Sequence, residues 1–153
     1  MREEVTAQLL SGQALGARIT CVSSLDFTPR RDQRSAMPTI RDLVSALRRR
    51  DGVDAAIVLG RDGLLIDGAT DAALDPDGVA AYVPPIALAA IEMGVAAGRG
   101  DFGLMVLEYS NGTVVVTSVS PDAFLLVLLR PDANLAALLY DLRRFRAQIA
   151  SLV

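Results

Sequence analysis

Apolar residues along the chain alternate between helical spacing and strand-like runs, and the pattern is clearest after residue 37. A helix is predicted over 38–50, because its apolar positions recur every three to four residues. Those positions are Ile40, Leu43, Val44 and Leu47. Thr39 and Asp42 have the spacing of a capping box, in which two polar side chains satisfy backbone N–H groups at the helix start. The first regular element therefore begins close to Thr39.

Two apolar runs, 53–60 and 64–68, are predicted to pair as a β-hairpin, because a polar turn ending in Gly63 separates them. Three more strands are predicted at 102–109, 113–119 and 123–129. An Asn-Gly turn joins the first two of these. The last strand, AFLLVLL, has no polar position, which is typical of a central strand covered on both faces.

Two further helices are predicted. The middle helix spans 76–97, with Asp75 as its capping residue and Pro76 at the first helical position. We expect a kink at Pro84 and Pro85, because proline removes a backbone hydrogen bond within a helix. The last helix spans 135–152 and keeps its apolar residues on one face.

This order predicts an α/β (α+β) fold with the sequence α-β-β-α-β-β-β-α. Hairpin connections imply a five-stranded antiparallel sheet, and a doubly covered central strand requires helices on both faces, so the architecture is a three-layer sandwich. This domain is predicted over 37–153. Residues 1–36 are predicted to be a poorly ordered extension that ends in a polar linker, and Met37 is a candidate translation start.

The middle helix is apolar around nearly its whole circumference, whereas a surface helix normally has a single apolar stripe. Only one side can face its own sheet, so the other side needs a cover. A second copy of the helix across a two-fold axis is the simplest cover. The following strand adds an edge that also needs a partner. The alternative cover is the first or last helix or residues 1–36. The predicted interface residues are Ile86, Ala89, Ala90, Met93, Gly94, Ala97, Leu104 and Val106.

Composition excludes several kinds of chemistry. The chain has no histidine and all 15 basic residues are arginine, which excludes imidazole catalysis, histidine ligation of a metal and Schiff-base lysine chemistry. Cys21 is the single cysteine, so no disulfide forms within the chain. The net charge of −3 provides no basic footprint for nucleic acid. We expect no catalytic residue, no cofactor and no bound metal.

Acidic residues offer two weaker alternatives. Asp71, Asp75 and Asp77 are clustered, and a spacing of two residues is found among calcium ligands, but the loop lacks the bidentate glutamate of an EF-hand. Glu92 and Glu108 stand in apolar sequence, where burial would raise a carboxyl pKa and suit it to acid–base catalysis. No catalytic motif surrounds either glutamate.

No segment is predicted to enter or cross a membrane. Glu3 and Glu4 stand where a signal peptide has its basic region. The most apolar run, 83–98, is shorter than the roughly 20 residues of a bilayer span and contains two prolines and Glu92. A cytoplasmic location is therefore expected.

Two segments carry a resemblance to a known family. They are GVDAAIVLGRDGLLIDGATD at 52–71 and FLLVLLRPDANLAALLYDLRRFRAQI at 124–149. Their Gly-Val before the first strand, the Asp-Gly turn and the apolar last strand leading through Asn-Leu into a helix resemble the roadblock/dynein light-chain family, and its bacterial, MglB-like members in particular. The resemblance covers about 39–150 and leaves 1–36 without a counterpart.

The resemblance implies a profilin/roadblock-like homodimer, with paired middle helices and a sheet that continues across the interface. It also implies a non-enzymatic regulator of a small Ras-like GTPase, because members of the family usually scaffold or regulate such proteins. The bacterial, MglB-like members act as GTPase-activating partners without donating an arginine finger. The candidate partner contacts are Arg61, Glu92 and Arg99. The matching motifs are packing motifs, so no catalytic residue is carried over.

The sequence is also compatible with functions other than regulation of a GTPase. A structural adaptor would bind its partner in either nucleotide state, whereas a regulator discriminates between the two states. A small-molecule sensor is a further option by analogy with other profilin-like sheets. A heterodimer with a related chain fits the apolar helix as well as a homodimer does.

Overall fold

The computed structural model describes residues 39–152, which form five strands and five helices. The elements in chain order are α1 (Ile40–Arg48), β1 (Val53–Gly60), β2 (Leu65–Thr70), α2 (Pro76–Ala80), α3 (Val83–Ala96), β3 (Leu104–Tyr109), β4 (Gly112–Ser120), β5 (Ala123–Leu129), α4 (Leu135–Arg144) and α5 (Arg146–Ala150). The predicted extension at 1–36 and the candidate start Met37 lie outside the described residues.

The five strands form one antiparallel sheet with the order β2-β1-β5-β4-β3. The all-apolar strand β5 is central, as its sequence predicted, and pairs with β1 on one side and β4 on the other. Six of its seven residues are buried. The strand order leaves β2 and β3 as the two edges.

Helices cover both faces of the sheet, which confirms the predicted three-layer arrangement. On one face, Leu43 and Leu47 of α1 and Leu138 of α4 pack against β1 and β5. On the other face, Ala80 of α2 and Val83 of α3 pack against a different set of side chains from the same strands. The alternation of side chains along β1 and β5 thus supplies two separate cores.

Helix α1 begins with the predicted capping box. The backbone N–H of Asp42 donates to the Thr39 hydroxyl at 3.3 Å. The Asp42 carboxylate in turn accepts from the Thr39 backbone N–H at 2.9 Å. These bonds satisfy donors that a helix start leaves without an intrahelical partner.

The predicted middle helix consists of two helices, so the expected kink at Pro84 and Pro85 is wrong. The chain breaks earlier, at Ala81 and Tyr82, and the prolines occupy the first turn of α3. Backbone N–H groups in a first turn have no partner within the helix, so proline loses nothing there. Asp75 precedes α2 as predicted, but its side chain makes no capping hydrogen bond.

The predicted last helix is likewise divided into α4 and α5. Phe145 lies between them, with φ −98° and ψ 8°, outside regular helical geometry. Asn134 caps the start of α4, because its side chain accepts a hydrogen bond of 3.0 Å from the Ala137 backbone N–H. Ile149 of α5 reaches the same core as α1 and α4.

Candidate interaction surface

Helix α3 packs on its sheet along one narrow stripe and exposes the rest of its apolar surface. Of its 14 residues, Val83 and Ala87 are buried. Large apolar side chains elsewhere on the helix are exposed, with fractions of 40% for Ile86, 56% for Leu88, 68% for Met93 and 72% for Val95. Exposed apolar area concentrated on one helix is typical of an interaction surface.

The residues of α3 outside the buried stripe form two flanks, in which Ile91 is half-buried and the others are exposed. The first flank consists of Ile86, Ala89 and Met93, and the second consists of Leu88, Ile91 and Val95. At about 100° per residue, Ile86 and Val95 are separated by about 180° around the helix axis. A single partner helix therefore cannot cover both flanks at once.

The predicted interface residues of α3 differ in their exposure. Ile86, Ala89, Met93 and Ala97 are exposed, whereas Ala90 and Gly94 are half-buried. Gly94 faces its own chain, because a Cβ there would lie 3.3 Å from the carbonyl oxygen of Gly100. Its carbonyl also accepts a hydrogen bond of 2.9 Å from the Arg99 N–H as the helix ends. The backbone of Gly94 thus takes part in the turn that ends α3.

Strand β3 is an edge of the sheet next to this surface. Within the described residues it pairs with β4 alone, so one side of its backbone has no strand partner. The predicted interface residues Leu104 and Val106 pack against the core that contains α1 and α4. Met105 is the β3 residue that packs with the α3 core. The alternation of side chains within LMVLEY, combined with the register to β4, is the signal that distinguishes these two sets.

The candidate partner contacts lie at separate points of the surface. Arg61 is exposed at the β1–β2 turn, where its backbone N–H donates to the carbonyl of Asp122 at 2.9 Å. Its guanidinium carbon lies 5.2 Å from the centre of the Phe124 ring. Glu92 is exposed on α3, and Arg99 is exposed in the turn after it. No ion pair joins these three residues within the part of the chain that the structure describes.

Acidic groups do not assemble into a metal site anywhere in residues 39–152. Asp71, one of the three clustered aspartates, forms an ion pair with Arg48. Hydrogen bonds from Thr39 lower the pKa of Asp42, and the Asp132 carboxylate raises the pKa of Arg130. Glu108, the second apolar-flanked glutamate, is exposed at the edge strand.

Together α2 and α3 form a helical segment, Pro76–Ala96, that is long and apolar enough to cross a membrane by length and composition alone. A helix that packs on a sheet passes the same criterion. Here Ala80, Val83 and Ala87 are buried in the sheet core, and the chain turns between the two helices. The absence of a membrane span therefore stays a prediction.

Solved structures share this fold at low sequence identity. A Roadblock/LC7 domain from Streptomyces avermitilis gives a TM-score of 0.65 at 23% identity, covering 74% of this chain and 96% of that one. The gliding protein MglB from Thermus thermophilus gives 0.66 at 18% identity, covering 78% and 93%. MglB from Myxococcus xanthus gives 0.63 at 15% identity, covering 69% and 87%.

Sequence comparison gives the family directly. No curated protein matches the chain. Residues 39–129 match the family model of the Roadblock/LC7 domain, and this match starts at the α1 cap and ends with β5. It spans more than half of the chain and coincides with the strands that carry the sheet. The chain therefore belongs to the Roadblock/LC7 domain family.

Proposed function

We propose that this chain forms a homodimer that binds a small Ras-like GTPase and regulates it, as a GTPase-activating or effector partner. The observation that carries the proposal is the exposed apolar surface of α3 beside the open edge of β3. The fold likeness to MglB from two organisms supports the choice of partner class.

The dimer is proposed to form through the first flank of α3. A two-fold axis beside Ile86 and Met93 would place each of these side chains against its own copy and remove both from water. The same axis would set two β3 edges side by side, so that backbone N–H and C=O groups pair across the interface. Burying one large apolar side chain contributes about 1.5–3 kcal/mol, so two such residues per protomer are a substantial part of a dimer interface.

Regulation is proposed to arise from preferential binding rather than from chemistry on this chain. A GTPase exchanges between conformations of its switch segments, and a partner that binds one conformation more tightly raises its population. The second flank of α3 remains open in the proposed dimer, and Arg61 lies beside its residues Ile91 and Val95. Glu92 on α3 and Arg99 after it are further exposed charges for contacts to a partner. The proposed regulation needs no catalytic group on this chain. We propose that the chain acts in the cytoplasm.

Nucleotide-dependent capture tests the proposal. The purified full-length chain is immobilised and exposed to native lysate containing either a non-hydrolysable GTP analogue or GDP, and retained proteins are identified by mass spectrometry. We expect a small GTPase that is retained with the GTP analogue and lost with GDP. Equal retention in both states would instead support a structural adaptor, and retention of no GTPase would contradict the proposal.

A hydrolysis assay then separates the two kinds of regulator. The captured GTPase is purified, and its GTP hydrolysis is measured under single-turnover conditions with increasing amounts of this chain. An activating partner accelerates hydrolysis with saturation at the binding stoichiometry, whereas an effector leaves the rate unchanged or lowers it. The Met93→Glu variant tests whether either effect requires the dimer.

A further inference from the structure

An open cavity of about 530 Å³ lies at one end of the sheet, next to the second flank of α3. It is bounded by the end of α3, the segment 100–102, the β4–β5 turn and α5. Ile91, Val95 and Phe102 form part of its apolar wall, and Arg61, Ser120 and Arg146 bring polar groups to it. Its volume falls within the range of small-molecule sites in proteins.

The charged groups around this cavity are mainly cationic, although the whole chain has a net charge of −3. Arg61 and Arg146 line it together with one carboxylate, Asp101. A neighbouring cavity of about 240 Å³ shares Arg146 and adds Arg143. Three arginines and one aspartate thus line the two cavities.

These guanidinium groups are not engaged by acidic side chains within residues 39–152. The ion pairs found there use Arg41, Arg48, Arg50 and Arg130. Arg61 is instead held by the ring of Phe124, at 5.2 Å from guanidinium carbon to ring centre. An arginine stacked on an aromatic face keeps its N–H donors available at the edge of the guanidinium plane.

The cavity does not overlap the proposed dimer interface. Its α3 residues, Ile91 and Val95, belong to the second flank, and Val95 lies about 180° around the helix from Ile86. The site is therefore accessible whether the chain is a monomer or a dimer. Ser120 also lines the cavity. Its hydroxyl oxygen accepts a hydrogen bond of 3.2 Å from the Asp122 N–H, which leaves the hydroxyl hydrogen to donate to a ligand.

We propose that this cavity binds a small organic anion that has a carboxylate or phosphate group on an apolar body. The anionic group would accept hydrogen bonds from Arg61 and Arg146, because guanidinium N–H pairs match carboxylate and phosphate oxygens. The apolar body would lie against Ile91, Val95 and Phe102. The cavity shares Arg61 and the second flank of α3 with the surface proposed for the GTPase, so ligand binding is tested with the chain alone, without a GTPase.

Calorimetric titration of the full-length chain with matched amphiphiles tests the proposal. The probes are decanoate, decyl phosphate and decyltrimethylammonium, each kept below the concentration at which it forms micelles. We expect saturable binding of at least one of the two anions, at one site per chain, and at least tenfold weaker binding of the cation. The preference between decanoate and decyl phosphate identifies the anionic group that the site favours.

Arginine variants locate the binding site. Arg61→Gln and Arg146→Gln are each expected to weaken anion binding about tenfold, the effect of one lost hydrogen bond to a charged group. Arg49→Gln is the matched control, because Arg49 is exposed at the end of α1 and lies outside both cavities. Circular dichroism checks that each variant remains folded.

Three results would overturn the proposal. The first is that neither anion binds. The second is that the cation binds as tightly as the anions, which would indicate adsorption of the decyl chain to the exposed face of α3. The third is that Arg61→Gln and Arg146→Gln bind the anions as the Arg49→Gln control does.

Discussion

The carboxylate of Asp141 accepts a hydrogen bond of 2.6 Å from Nη1 of Arg50, and this ion pair joins the turn after α1 to α4. The two residues are 91 positions apart in the sequence. Both side chains are largely withdrawn from water, with exposed fractions of 8% for Asp141 and 22% for Arg50. The pair therefore fixes the two helices of one layer against each other.

Breaking this pair on one side is expected to destabilise the fold. Asp141→Ala leaves the Arg50 guanidinium without its partner in a largely buried position, which we expect to cost about 3 kcal/mol of unfolding free energy. Urea denaturation at a fixed protein concentration measures the loss. The double variant Arg50→Leu with Asp141→Leu leaves no unpaired charge and is expected to be the more stable of the two. A loss below about 0.5 kcal/mol in Asp141→Ala, the scale of an exposed pair, would contradict this assignment.

Gly112 is required at the β3–β4 turn by both conformation and space. Its φ is +138°, and a Cβ would overlap the carbonyl oxygen of Leu129 on the neighbouring strand. Gly112→Ala is expected to cost about 3 kcal/mol of unfolding free energy, the upper end for a strained backbone position. Gly98→Ala is the matched control, because Gly98 also has a positive φ, +62°, but has open space around it. Equal losses in the two variants would show that the contact with Leu129 is unimportant.

The capping box makes the start of α1 sensitive to acid. The backbone N–H of Thr39 is the main cause of the lowered pKa of Asp42, and the Thr39 hydroxyl, which donates at 2.8 Å, adds to it. A carboxyl whose pKa is lower in the folded state stabilises the fold above its unfolded pKa of 3.8, and this contribution is lost as the pH falls through the folded pKa.

An NMR titration of the Asp42 carboxyl checks this direction. We expect a midpoint below 3.8 in the native chain. In Thr39→Ala the hydroxyl bond is lost and the backbone bond remains, so the midpoint is expected to move part of the way back toward 3.8. A native midpoint at or above that value would mean that the box does not hold in solution.

Neither exposed arginine near α3 is expected to act as an arginine finger. Arg61 is held over Phe124, and Arg99 lies in the turn that ends α3. If the chain stimulates a GTPase, Arg61→Ala and Arg99→Ala are each expected to lower the stimulated hydrolysis rate by less than about tenfold. Removal of a true finger costs about a thousandfold or more, so single-turnover hydrolysis separates the two cases. A loss on that scale in either variant would assign the finger to this chain.

Local sequence was sufficient to predict the central sheet. Strands β1 and β5 have the predicted limits, 53–60 and 123–129, because each is an apolar run of strand length with turn residues at its ends. The capping box was also predictable, since Thr39 and Asp42 interact within one turn of helix. The break at Ala81 and Tyr82 was not, because proline is compatible with the first turn of a helix as well as with a kink.

Features that depend on packing between distant segments could not be predicted from the local sequence pattern. The sequence named Leu104 and Val106 as interface residues without assigning them to a face of the sheet. In the structure both pack with the core of α1 and α4, and Met105 packs with the core of α3. The arginine-lined cavity brings Arg61 and Arg146 together from separate turns and helices. No spacing rule connects positions that are so far apart along the chain.

The proposed dimer through the first flank of α3 is the central claim, and a pair of charge substitutions tests it most directly. Met93→Glu and Val95→Glu place the same side chain on the same helix at exposed positions, 68% and 72%, on opposite flanks. Light scattering coupled to size-exclusion chromatography gives the mass of each variant and of the native chain across a range of concentrations. We expect the native chain and Val95→Glu to have twice the mass of one chain, and Met93→Glu to have the mass of one. A native chain that is monomeric throughout, or a Met93→Glu variant that remains a dimer, would contradict the account.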